Sequence, residues 1–146
     1  MIHRPHRSLL RGTHVALAGI VLALAACGGI KPSQDRAQEL TLYDFTSAMR
    51  WGDFNAAYDF VDPETKKDHP LTDLERERFK QVEVAGYEVV ANVQGTDTID
   101  RKIKLDLVNR NTQIPRTVTY HEHWRWDPTL KHWWLSSGLP DISPQN

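Results

Sequence analysis

The sequence predicts an α+β domain, with N-terminal helices packed on an antiparallel sheet. Two periodicities carry this reading. Apolar residues recur at three-four spacing over residues 35–80, and from Gln81 onward the period is two. A third observation bounds it. The chain has 146 residues, 40% hydrophobic and 25% charged, which is ordinary for one folded domain and too short for two sizeable cores.

The first helix is capped by Ser33 and carries Leu42, Phe45, Ala48 and Met49 on one stripe. Gly52 ends it, and Asp53 caps a second helix with Phe54, Ala57, Tyr58 and Val61 at i, i+3, i+4 and i+7. Asp62-Pro63 stops that helix, because the residue before a proline is pushed away from helical geometry. Asp59 and Asp62, at its end, are expected to face solvent. Thr72-Asp73-Leu74-Glu75 is a capping box that starts a short third helix, whose Glu75 to Arg78 form a solvated face.

The first strand covers about residues 82–94, with a bulge or bend at Gly86. Gln94 to Asp97 turns the chain. The next strand sets Ile99, Ile103, Leu105 and Leu107 against Asp100, Lys102, Lys104 and Asp106. After a turn over Asn109 to Ile114, Val118, Tyr120, Trp124 and Trp126 share a face. Asp127-Pro128-Thr129-Leu130 is a further turn, and a last strand covers about residues 131–137. Helices followed by a meander give an open sheet whose apolar face the helices must cover.

Charge is uneven. Residues 1–26 hold Arg4, Arg7 and Arg11 and no acid, which leaves 15 basic against 19 acidic residues in the rest of the chain. No large basic field exists, so nucleic acid is not an expected partner. The basic start is followed by an apolar run from Val15 to Ala26, and the run ends Leu24-Ala25-Ala26-Cys27-Gly28. This segment resembles the lipoprotein signal sequence of bacteria. The resemblance implies a signal peptide over 1–26, a lipidated Cys27 with a linker over 27–34, a domain over 35–140 and a C-terminal tail over 141–146. Acyl chains on Cys27 would bind a membrane firmly, since each buried CH₂ contributes about 0.8 kcal/mol. The competing reading is an uncleaved anchor with a buried thiol. By the same resemblance, Gly28 rather than Asp after the cysteine points to the periplasmic face of the outer membrane, with the inner membrane as alternative. The seven residues from Gly28 to Gln34 reach at most about 25 Å, which holds the domain near the bilayer.

The body of the chain resembles the nuclear-transport-factor-2-like superfamily, also called the cystatin-like cone. Trp51-Gly52-Asp53-Phe54-Asn55-Ala56-Ala57 is similar to the Gly-Asp-x-x-x-Ala junction between the first two helices of many members, and the Trp-rich last strands also fit. The resemblance implies a strongly curved sheet holding the helices in its concavity. The family has a short strand between its second and third helices, but Glu64 to Pro70 is polar and carries no strand pattern, so that strand is missing or very short. Several members are isomerases, dehydratases or hydrolases with their chemistry inside the cone.

Two charged residues interrupt the inward faces: Arg101 beside Ile99 and Ile103, and Glu122 between Tyr120 and Trp124. A turn centred on Asn111–Thr112 sets them directly opposite, and one centred on Thr112–Gln113 makes them diagonal neighbours. Such a pair either lines a polar pocket or serves structure. Tyr43 and Tyr58 are further pocket donors, and Tyr120 and Trp124 complete the candidate pocket-lining set. His121 and His123 share a strand face, but Arg125 lies there too and no third ligand is in view, so neither a metal nor a cofactor is expected. Of Trp133 and Trp134, one must face outward. It either docks a partner or packs under the C-terminal tail. The expected function is non-catalytic: binding an envelope protein or a small apolar ligand. The alternative is a small isomerase or hydrolase using Glu122 with a Tyr. A deep pocket with Glu122 inside it, away from Arg101, would favour the enzyme.

Cys27→Ser is expected to abolish acylation and leave the protein soluble or carrying its signal peptide. Membrane fractionation with intact-mass measurement reads the outcome.

Overall fold

The computed structural model describes residues 33–143. The expected signal peptide, Cys27 with the linker up to residue 32, and residues 144–146 of the expected tail lie outside the described residues. Four helices precede four strands: α1 (Gln34–Trp51), α2 (Phe54–Asp59), α3 (Pro63–Asp68), α4 (Asp73–Lys80), β1 (Val82–Gln94), β2 (Thr98–Asn109), β3 (Pro115–Asp127) and β4 (His132–Leu135). The strands form one antiparallel sheet in the order β1-β2-β3-β4. Among the described residues, no helix is long and apolar enough to cross a membrane.

The helix ends follow local chemistry. The Ser33 side chain accepts the Arg36 N–H, so Gln34, expected in the linker, already opens α1. Gly52 closes α1 in the left-handed region at φ 70°, where a side chain would be strained. Asp53 accepts the Ala56 N–H, and Thr72 and Glu75 form the full capping box.

Four expectations need correction. The second helix ends at Asp59 rather than reaching Val61. Asp62-Pro63 stops one helix and also starts another: proline occupies the first turn of α3, where its missing N–H costs nothing, and Asp62 accepts the Glu64 N–H. Asp62 does not face solvent. It is 2% exposed and binds the Arg125 guanidinium, which holds its carboxyl below the usual aspartate value. Asp59 is exposed, as expected. The last strand spans four residues, shorter than the sequence suggests.

Each strand puts one face into the core. Ile99, Ile103, Leu105 and Leu107 are buried, while Lys102 and Lys104 are exposed. β1 keeps register with β2 only through two irregularities, between Val84 and Gly86 and between Val89 and Ala91. The first follows from Gly86, where a Cβ would come within 2.9 Å of the Asp106 carboxylate. Val61 makes an isolated parallel bridge to Leu135, which ties the segment after α2 to the β4 edge. Of the paired tryptophans, Trp133 is fully buried and Trp134 turns partly outward against His132. The chain stays packed beyond β4: Ile142 is buried, its carbonyl accepts from Arg116, and Ser143 accepts from Arg78 at 2.8 Å.

Trp124 lies at the centre of this core, without exposure, edge-on to Phe45 at 5.0 Å between ring centroids. Trp124→Ala should cost about 3–5 kcal/mol, the range for large aromatic deletions in cores. Chemical denaturation measures it, and a neutral result would mean that the indole is not in the core.

Candidate functional site

β2 and β3 pair in the register that sets Arg101 directly opposite Glu122, the geometry of a turn centred on Asn111–Thr112. Both are buried, at 7% and 1% exposure. Glu122 Oε2 lies 3.3 Å from Arg101 Nη1 and accepts the Trp124 indole N–H at 3.0 Å. Its other oxygen accepts the Tyr87 hydroxyl. The Arg101 guanidinium also sits 5.8 Å from the centre of the Tyr87 ring. One carboxyl thus joins side chains from β1, β2 and β3.

Burial dominates the electrostatics. It pushes the Glu122 carboxyl above its ordinary value, against the opposing pull of Arg101 and of the donors Tyr87 and Trp124. Burial, aided by the nearby Glu122 charge, also raises the Tyr87 and Tyr120 hydroxyls, so both stay protonated. Glu122 with its oxygens already engaged by Arg101, Tyr87 and Trp124 is poorly placed to serve as a free general base.

A concavity lies beside this cluster. A groove of about 1150 Å³ runs between α1 and β1. Leu42, Tyr43, Thr46, Arg50 and Trp51 line its helix side, and Val84, Tyr87 and Val89 its strand side, with Arg101 reaching it from β2. Arg50 donates to the Tyr87 carbonyl at 3.2 Å and Gln38 exchanges hydrogen bonds with Gln94, so α1 is fixed along β1 at both ends.

Of the six pocket candidates, Tyr43 and Arg101 line this groove, and Tyr87 and Arg101 connect it to Glu122. The other four are engaged elsewhere. The Tyr58 hydroxyl accepts the Leu71 N–H at 3.2 Å beneath Lys66 and Arg76. Tyr120 donates to the Gly138 carbonyl at 2.6 Å. Trp124 is in the core, and Glu122 is enclosed behind Arg101. Tyr87 is the residue that sequence reasoning missed. The bulge at Gly86 shifts the inward positions of β1 from Val84 to Tyr87, opposite Leu105, and carrying that shift along the strand would have found it. Among the described residues, no three His, Cys, Asp or Glu side chains cluster to hold a metal. His123 instead pairs with Asp100 across the strands at 2.6 Å.

Tyr87→Phe removes a donor from a buried carboxylate and should destabilise by about 1–3 kcal/mol. It should also raise the Glu122 carboxyl further, since that donor favours the charged form. The sign of the pH dependence follows. Folded Glu122 holds its proton more tightly than the unfolded chain does, so its contribution is fully present below the ordinary value of 4.5 and is lost as pH climbs through the raised value. Glu122→Gln lacks this loss. Denaturation between pH 4 and 8 should show wild type losing stability relative to that variant as pH rises.

No family model matches the chain. No curated protein matches it either. Among solved structures it is similar to the solution structure of a SEC-C motif containing protein from Rhodopseudomonas palustris, at 14% identity and a TM-score of 0.51 over 73% of this chain and 74% of that one. At that identity the likeness concerns the fold alone, and it agrees with a small α+β domain built on an antiparallel sheet.

Proposed function

We propose that this chain is a lipid-anchored envelope lipoprotein whose domain binds, without catalysis, an envelope protein or a small apolar ligand in the α1–β1 groove. The observation that carries the reading is where exposed apolar side chains gather. Of the nine large hydrophobic residues exposed among the described residues, Leu40, Tyr43 and Trp51 lie on α1, and Val89, Val90 and Val93 on β1. Tyr43, Trp51 and Val89 line the groove itself. Trp51 is 84% exposed and Tyr43 is 72% exposed, although aromatic rings of this size lose much by standing in water. Apolar surface concentrated at one concavity is the usual mark of a binding site.

The anchor in this proposal rests on the Leu24-Ala25-Ala26-Cys27 pattern, which also carries the outer-membrane location, with the inner membrane as alternative. The finer fold in this proposal is the nuclear-transport-factor-2-like cone. Its support is the Gly52-Asp53 junction between α1 and α2, the two register irregularities in β1, and the Val61–Leu135 bridge at the point where the family carries its short strand. The enzyme alternative requires Glu122 in a pocket and away from Arg101, and the two are in contact.

A photo-crosslinking residue at position 43, with a control at exposed Leu130, tests the groove in the intact envelope. Adducts should form from position 43, disappear with Trp51→Ala and be absent from position 130. Equal yields from both positions would contradict the reading.

A further inference from the structure

The Arg101 side chain is short of partners. A guanidinium carries five N–H donors. Nη1 is buried beside Glu122 Oε2 but out of line for a hydrogen bond, and it has no other partner. The Glu122 oxygens take their aligned hydrogen bonds from Tyr87 and Trp124 instead. Among the described residues, Arg101 is 7% exposed, and it lines the groove. A desolvated cation with unspent donors favours any ligand that can accept from them.

The surroundings narrow the ligand. Arg50 lies on the same lining, but so do the acidic residues Glu88 and Asp106. The charges of Arg50, Arg101, Glu88 and Asp106 cancel, and Glu122 adds a further carboxylate beside Arg101, so the site opposes a doubly charged phosphate more strongly than a single carboxylate. The planar guanidinium fork matches a carboxylate. Leu42, Tyr43, Val84 and Trp51 supply apolar wall, and about 1150 Å³ exceeds what a bare small anion needs.

We infer that the groove receives an amphiphilic monocarboxylate, an organic acid whose carboxylate seats on Arg101 and whose apolar body lies between α1 and β1. This rests on the groove being a binding site, and it names the ligand class.

The test uses the full chain with 4-phenylbutyrate as probe. Comparison ligands are 4-phenylbutan-1-ol, acetate and 4-phenylbutyl phosphate. Calorimetry should show the acid binding at least about tenfold tighter than the alcohol, as a charge-assisted hydrogen bond requires. Acetate and the phosphate should bind more weakly than the acid. In ¹⁵N-resolved NMR the Arg101 Nε–H signal, assigned by its loss in Arg101→Lys, should move on addition of the acid. Ser47 also lines the groove from α1, so Ser47→Trp, which fills that space and leaves the Arg101–Glu122 pair in place, should abolish both effects. Equal affinity for acid and alcohol would overturn the inference, as would acetate or the phosphate binding as tightly as the acid. So would an unmoved Arg101 signal, or a groove that instead closes on a second copy of the chain. Acid and alcohol binding equally, with both lost in Ser47→Trp, would sink the carboxylate and leave the groove standing as a binding site. No binding of any probe, alongside a position-43 adduct with an envelope protein, would likewise remove the inference and leave the function reading intact.

Discussion

A carboxylate inside an apolar core is the constraint around which this domain is arranged. Glu122 is costly to bury as an anion, and it stays only because three neighbours converge on it. Tyr87 comes from β1, Arg101 from β2 and Trp124 from its own strand, β3. The strands must keep their observed register for these groups to meet. A one-residue slip between β2 and β3 would send Glu122 and Arg101 to opposite faces of the sheet. Polar satisfaction thus selects the same register that hydrophobic alternation selects, which is the agreement between levels expected of a well-specified fold.

The same cluster shapes the surface beside it. The Gly86 irregularity turns Tyr87 inward to reach Glu122, and it leaves the rest of β1 outside the main core. Residues 88–94 are exposed on both sides of the strand. α1 follows β1 but is held to it by Arg50 at one end and Gln38 at the other, and the groove lies between them. The groove therefore lies where β1 leaves the main core, and Arg101 is where the polar core meets that surface.

Much of this was legible in the sequence wherever the cause is local. Ser33, Gly52, Asp53 and the Thr72–Glu75 box each act on N–H or C=O groups a few residues away, and each marks a helix end where expected. The alternation in β2 placed its buried face, and the turn centre named Arg101 opposite Glu122 as one of two registers. Features with distant causes were not legible. Asp62 is buried because Arg125, 63 residues later, reaches it. Tyr87 is hidden by the register shift at Gly86, and the groove depends on where α1 comes to rest against β1. No local pattern records either approach.

Arg101 and Glu122 form a mutually dependent buried pair, and a thermodynamic double-mutant cycle measures that dependence directly. Arg101→Met alone should cost about 3–5 kcal/mol, because it strands a buried carboxylate. Combining it with Glu122→Gln, which still accepts from Tyr87, should recover much of that loss and give a coupling of about 1–3 kcal/mol. Additive costs for the two substitutions would contradict the account.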